Sequence, residues 1–201
     1  MRIMQQLKLL IINYKSMERK YTFLVSIALV SLLVKPATFI YGQGCDHLIS
    51  YWRMEEKMGN TYEDIIGGHD AVAFTSTPSE DAGKVGKEQY FNGTTNYLTV
   101  SDHPDFDWSG DQSFTIEMWV KLKSISSVDN MIFIGRDETP GSIHWWVGAE
   151  KNTGQSMFVL VGSDGTSRIS YGPNLSIGLW YHVVAVRDAA SGSNMLYVNN
   201  T

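Results

Sequence analysis

Phe114-Thr115-Ile116-Glu117-Met118-Trp119-Val120-Lys121 is the stretch that decides the fold. Its residues Phe114, Ile116, Met118 and Val120 recur at every second position. They therefore line one face of an extended strand that is buried on that face alone. Working outward, Ile143-His144-Trp145-Trp146-Val147 alternates in the same way. Met157 to Val161 is a near-continuous apolar run, the pattern of a strand covered on both sides. Trp180 to Arg187 is rich in β-branched and aromatic residues, and Met195 to Val198 adds a further short strand. Asn92-Gly93-Thr94, Thr139-Pro140-Gly141, Ser163-Asp164-Gly165 and Ser191-Gly192-Ser193 supply turn chemistry between these runs. No segment after Gly42 carries a helical stripe. Short strands spaced roughly 10 residues apart predict an antiparallel sandwich or barrel. Aromatic residues make up 12% of the chain, and most of them are expected in the core. With no internal repeat and 201 residues, residues 43–201 read as one domain.

The first 42 residues read as a targeting segment. Arg19 and Lys20 precede an apolar run from Tyr21 to Val34, which Lys35-Pro36 interrupts, and Tyr41-Gly42-Gln43-Gly44 forms a small-residue zone. The run is shorter than the ~20 apolar residues of a membrane-spanning helix. A signal cleaved between Gly42 and Cys45 is therefore expected, with no stable transmembrane segment afterwards. Met17 is an alternative start. Six of the 16 Lys and Arg and one of the 21 acids fall in residues 1–42, which leaves 10 basic and 20 acidic side chains and a net of −10. Such a charge repels phosphate backbones and argues against nucleic-acid binding. The expected destination is secreted or cell-surface, meaning periplasmic or outer-membrane-associated if the source is bacterial. Cys45 is the single cysteine, so no internal disulfide can form. The residues before it lack the aliphatic residue of a lipobox.

The order of the segments resembles the laminin-G-like jelly roll of the concanavalin A-like lectin/glucanase superfamily. Leu48-Ile49-Ser50-Tyr51-Trp52-Arg53-Met54-Glu55 is similar to its opening strand, and Asp64-Ile65-Ile66-Gly67-Gly68-His69-Asp70-Ala71 to its acidic, Gly-rich second segment. Gly83-Lys84-Val85-Gly86, Tyr90-Phe91-Asn92-Gly93 and Asn96-Tyr97-Leu98-Thr99-Val100 are similar to its most recognisable stretch. Phe114 to Lys121, Trp180-Tyr181-His182-Val183 and Leu196-Tyr197-Val198-Asn199 complete the series. The resemblance implies an all-β, two-sheet antiparallel sandwich. It also implies further strands after Asn199-Asn200, so the sandwich is expected to be incomplete at its C-terminus.

Fold does not dictate ligand, and the superfold hosts both binding modules and glycosidases. Retaining glycosidases need two carboxylates ~5 Å apart, from acids at alternate strand positions. Glu117 is the only acid inside the core of an alternating strand, and its alternate neighbours are Thr115 and Trp119. No Cys or His cluster has zinc spacing along the chain, and no Gly-x-Ser-x-Gly elbow occurs. His182 reads as a packing residue. These observations favour a non-catalytic binding module, with carbohydrate as the first ligand class and an extracellular protein as the alternative. A divergent glycoside hydrolase is the remaining reading.

The sugar reading rests on exposed aromatics. Alternation places Trp145 with Ile143 and Val147 inward and leaves His144 and Trp146 on the other face. Trp108, in Asp105-Phe106-Asp107-Trp108, is a second platform in a loop. If these rings are covered instead, the adhesion reading gains; Arg136-Asp137-Glu138 and the acidic loops are compatible with it. The resemblance also implies a rim calcium site, for which Asp64, Asp70, Asn92 and Asn96 are the oxygen-bearing candidates, provided their two segments meet. Asn92 replaces an acid that this family often carries, which lowers ligand charge. The alternative is that these residues cap their own turns. Asn92, Asn174 and Asn199 open Asn-x-Ser/Thr sequons, relevant only in a eukaryotic secretory pathway.

Overall fold

A computed structural model describes residues 2–3, 8–14, 47–136, 144–162 and 165–200. The apolar run Tyr21–Val34, the cleavage zone, Cys45, Ile143 and the Asp137-Glu138 pair lie outside the described residues. Every strand pairing is antiparallel. Among the described residues the only helical element is a 3-10 turn over Pro104–Phe106. The architecture is the all-β sandwich that the alternation predicts.

The chain opens with β1 (Arg2–Ile3) and β2 (Lys8–Tyr14), then β3 (Leu48–Met58), β4 (Thr61–Asp64) and β5 (Ala71–Thr75). A hairpin follows, made of β6 (Ser79–Ala82) and β7 (Lys87–Tyr90), and then β8 (Asn96–Val100) and β9 (Ser113–Lys121). The remaining strands are β10 (Met131–Arg136), β11 (His144–Ala149), β12 (Gln155–Val161), β13 (Ser167–Asn174), β14 (Trp180–Asp188) and β15 (Ser193–Val198). One continuous ladder runs β13-β12-β11-β10-β1-β8-β5-β4-β3-β2-β9-β14-β15, and β6-β7 stands apart. The ladder folds over on itself, so its two ends touch: the Ser170 hydroxyl of β13 donates to the Asn194 carbonyl of β15 at 2.8 Å.

Phe114, Ile116, Met118 and Val120 are each at most 1% exposed, and Thr115, Glu117, Trp119 and Lys121 between them are half-buried. Phe114 crosses the core to meet Trp145 of β11 and Phe158 of β12, both with ring centroids 6.2 Å away. Contacts of this kind hold the two layers together, because each buried large side chain contributes about 1.5–3 kcal/mol. Met157 to Leu160 are all buried, as the run predicts. Asn199 and Asn200 take φ of 53° and 67°, the left-handed turn conformation that Asn tolerates. β2 lies between β3 and β9 and pairs with both.

Candidate functional site

The four oxygen-bearing candidates for calcium do not converge. β5 pairs with β8 so that Ala71 faces Val100 and Thr75 faces Asn96. Asp70 therefore stands just beyond one end of this ladder and Asn96 at the other, five residues and roughly 17 Å apart at strand rise. An ion that binds oxygen at about 2.3–2.6 Å cannot bridge that span. The register corrects the expected grouping. Asn92 and Asn96 behave as the turn reading expects: Asn92 Oδ1 accepts from the amides of Thr94, Thr95 and Asn96, while Asn96 Oδ1 accepts from the Asn92 amide. The Asn96 amide group donates to the Ser76 hydroxyl at 2.6 Å. Asp70 Oδ1 accepts from the Asp64 amide at 2.9 Å.

Asp64 is buried and faces inward. Its Oδ1 accepts from the Tyr51 amide at 2.8 Å and the Ile66 amide at 3.1 Å, and its Oδ2 from the His69 amide at 3.1 Å. Burial alone would raise its pKa. The hydrogen bonds from Tyr51, Ser50, Ile66 and His69 outweigh that and hold the carboxyl below the usual aspartate value. Asp64 Oδ2 also lies 3.1 Å from His69 Nδ1, and the Ser50 hydroxyl lies 2.8 Å from that nitrogen. On its far side, His69 Nε2 is 3.2 Å from His103 Nδ1 and 3.2 Å from Asp105 Oδ2. His103 Nδ1 is 3.4 Å from the same oxygen. Phe106 packs its ring at 4.8 Å against His69. The 3-10 turn builds the outer half of this cluster, with His103 as its N-cap accepting from the Asp105 amide. Sequence reasoning missed the grouping because 34 positions separate the two histidines. A cleft of about 490 Å³ opens alongside, walled by residues 47–49 and 66–67 and by Pro104, Asp105, Asp107, Trp108 and Gln112.

Trp108 is not an exposed platform. It is 4% exposed, with its ring 3.8 Å from Phe114 and 5.1 Å from Trp145. Arg136, only 7% exposed, draws Asp102 and Asp107 to itself, while the tryptophan next to Asp107 is buried. Arg136 accordingly belongs to this ion-pair cluster, not to an open charged patch. Trp145 is fully buried while His144 and Trp146 are half-buried, the partition that alternation predicts. Trp146 lies opposite Gly135 on one side and Val159 on the other, and Val159 in turn faces Ile169. Its surroundings are therefore more apolar than a sugar platform requires.

A polar-aromatic face does exist, on the outer side of β9 and β14. The register places Trp180 opposite Lys121, His182 opposite Trp119 and Val184 opposite Glu117, and Val184 opposite Tyr197 of β15. Residues directly opposite share a face. His182 Nε2 is 2.8 Å from Glu117 Oε1, and its ring is 5.0 Å from Trp119. Lys84 lies over Trp119 at 5.3 Å and Lys121 over Trp180 at 4.7 Å. Trp119, Trp180, Glu117 and His182 are all half-buried, and Tyr197 is 42% exposed. His182 thus hydrogen-bonds Glu117 as well as packing on Trp119. The signal was legible: Glu117 and Trp119 alternate with the core residues of the deciding strand.

Among the described residues no helix is long and apolar enough to cross a membrane. The sequence model of the concanavalin A-like lectin/glucanases superfamily matches residues 92–201. No curated protein and no solved structure matches the chain.

Proposed function

The chain belongs to the concanavalin A-like lectin/glucanases superfamily, and from that premise we propose that it is an exported, non-catalytic module that recognises carbohydrate. The observation that carries the reading is the outer face of β9 and β14. There Trp119 and Trp180 stand beside Glu117, His182 and Lys121. Sugars stack their apolar faces on aromatic rings and present hydroxyls to neighbouring charged and polar groups, and this face offers both. Glu117 is paired to an imidazole, and Thr115 and Trp119 occupy the alternate positions where a second carboxylate would serve glycoside hydrolysis. The leader-like N-terminus and the acidic balance of residues 43–201 suit an extracellular role.

The test is a glycan array on the full chain and on Trp119→Ala, with and without calcium. Binding of a glycan class that the substitution abolishes supports the reading. An array on which neither protein binds, or on which both bind alike, removes it.

A protein ligand is the second reading, favoured by the opposite sheet. Ile169 and Tyr171 of β13 stand exposed beside half-buried Trp146 and buried Val159. Ile169 is 42% and Tyr171 52% exposed. Exposed apolar and aromatic residues on an end strand are the kind of surface protein interfaces use.

A further inference from the structure

We propose that His69, His103 and Asp105 bind a divalent first-row transition ion, with Zn²⁺ as the best geometric fit. The three ligand atoms are His69 Nε2, His103 Nδ1 and Asp105 Oδ2, and their mutual separations are 3.2, 3.2 and 3.4 Å. Zinc holds nitrogen and oxygen ligands at about 2.0–2.2 Å in a tetrahedron, whose edge is then roughly 3.3–3.6 Å. The triangle these atoms form is close to one face of that tetrahedron.

Proton accounting points the same way. His69 Nδ1 lies between the Asp64 carboxylate and the Ser50 hydroxyl, so this pattern assigns its proton to Nδ1 and a lone pair to Nε2. His103 Nδ1 carries a lone pair that now accepts a long 3.3 Å bond from the Asp105 amide, and an ion would take that lone pair in place of the amide. Asp105 contributes a carboxylate oxygen. Three electron-pair donors meeting this closely repel one another unless a positive species lies among them. A single proton bridges one of the three contacts, whereas a metal ion satisfies all three.

The donor set selects the ion. Two imidazoles with one carboxylate suit zinc and its first-row neighbours, while calcium takes six to eight oxygens and little else. The buried Asp64 completes the arrangement as a positioning residue. A carboxylate on the far nitrogen of a ligating histidine fixes its tautomer and ring orientation. Phe106 holds the ring from the side. Three protein ligands leave one coordination position open, to be filled by water or by a carboxylate or hydroxyl of a molecule in the neighbouring cleft, since Asp105 also lines that cleft. This site is built on the loops flanking β5 and β8 and is independent of the β9–β14 face.

The test is calorimetric titration of Zn²⁺ into the full chain after stripping with a chelator, alongside Co²⁺ absorption spectra. One zinc per chain and the strong visible bands of tetrahedral Co²⁺ are expected. His103→Ala and Asp105→Asn alter side chains 48% and 51% exposed, so metal-free melting should stay near that of the parent. Each should weaken zinc binding at least as much as loss of an outer-shell partner does, roughly 10–100-fold. Trp119→Ala should leave zinc binding unchanged, which separates this proposal from the sugar reading. No uptake by the parent overturns it. So does zinc binding that survives both substitutions, or calcium uptake in place of zinc.

Discussion

The Asp64 carboxylate and the His69 imidazole lie 3.1 Å apart, with side chains 0% and 7% exposed. Through this contact a fully enclosed acid holds a ring whose other nitrogen reaches the rim. Asp64 therefore acts from inside the fold, organising the Gly-rich loop from Ile65 to Asp70 by collecting its amides.

Asp64→Ala should be strongly destabilising, because it orphans the amides of Tyr51, Ile66 and His69. Each buried donor left without an acceptor costs about 1–3 kcal/mol. Denaturant midpoints should fall accordingly, while Asp70→Ala, at an exposed position with one amide bond, should cost far less.

The same acid sets a pH dependence. Its folded pKa is lowered, so the native state holds this proton less tightly than the unfolded chain. The stabilisation is complete above the unfolded value of about 3.9 and is lost as pH falls through the folded value. Glu88 runs the opposite way: burial raises its pKa despite the Lys121 ammonium at 3.3 Å. Its contribution is present below the ordinary glutamate pKa and is lost as pH rises through the folded one. Melting curves of Asp64→Asn and Glu88→Gln across pH 2 to 7 should each lose the corresponding slope.

Trp108→Ala should cost about 3–5 kcal/mol, the range for emptying a core tryptophan site. Its indole N–H has no acceptor among the described residues. Trp108→Phe keeps the stacking on Phe114 and discards that unmet donor, so it should cost much less. Similar midpoints for the two variants would remove Trp108 from the core.

Gly135→Ala should destabilise by about 1–3 kcal/mol, as overpacking does. A Cβ there would lie 2.7 Å from Trp146 Cβ and 3.1 Å from the Trp145 carbonyl. Tryptophan fluorescence should report a displaced Trp146 ring, and an unchanged spectrum and midpoint would show that the strand can shift to make room.

Strands were legible wherever one side chain in two is apolar. Phe114 to Lys121 and the split between Trp145 and Trp146 follow from that period, because strand geometry sends neighbours to opposite faces. Long-range register was not legible. Asp70 and Asn96 looked like neighbours, yet the β5–β8 pairing sets them at opposite ends. His69 and His103 looked unrelated, yet the loops flanking those two strands bring them together. Trp108 looked like a loop platform because nothing local announces Arg136, which pairs with Asp107 from a strand 29 positions later.

The central placement of β2 bears on the order in which the chain can fold. Leu10 pairs with Tyr51 on one side and with Glu117 on the other, the latter more than one hundred positions downstream. During synthesis Lys8–Tyr14 emerges long before its second partner. Pairings this distant in sequence are slow to form. For that interval the edge of β2 that faces β9 is unpaired and open to any competing strand. Capture or proteolytic removal at that stage would leave β3 and β9 each with an open edge. Completion of this sheet therefore depends on how soon the ladder closes on both sides of β2, and not on the stability of the finished sandwich alone.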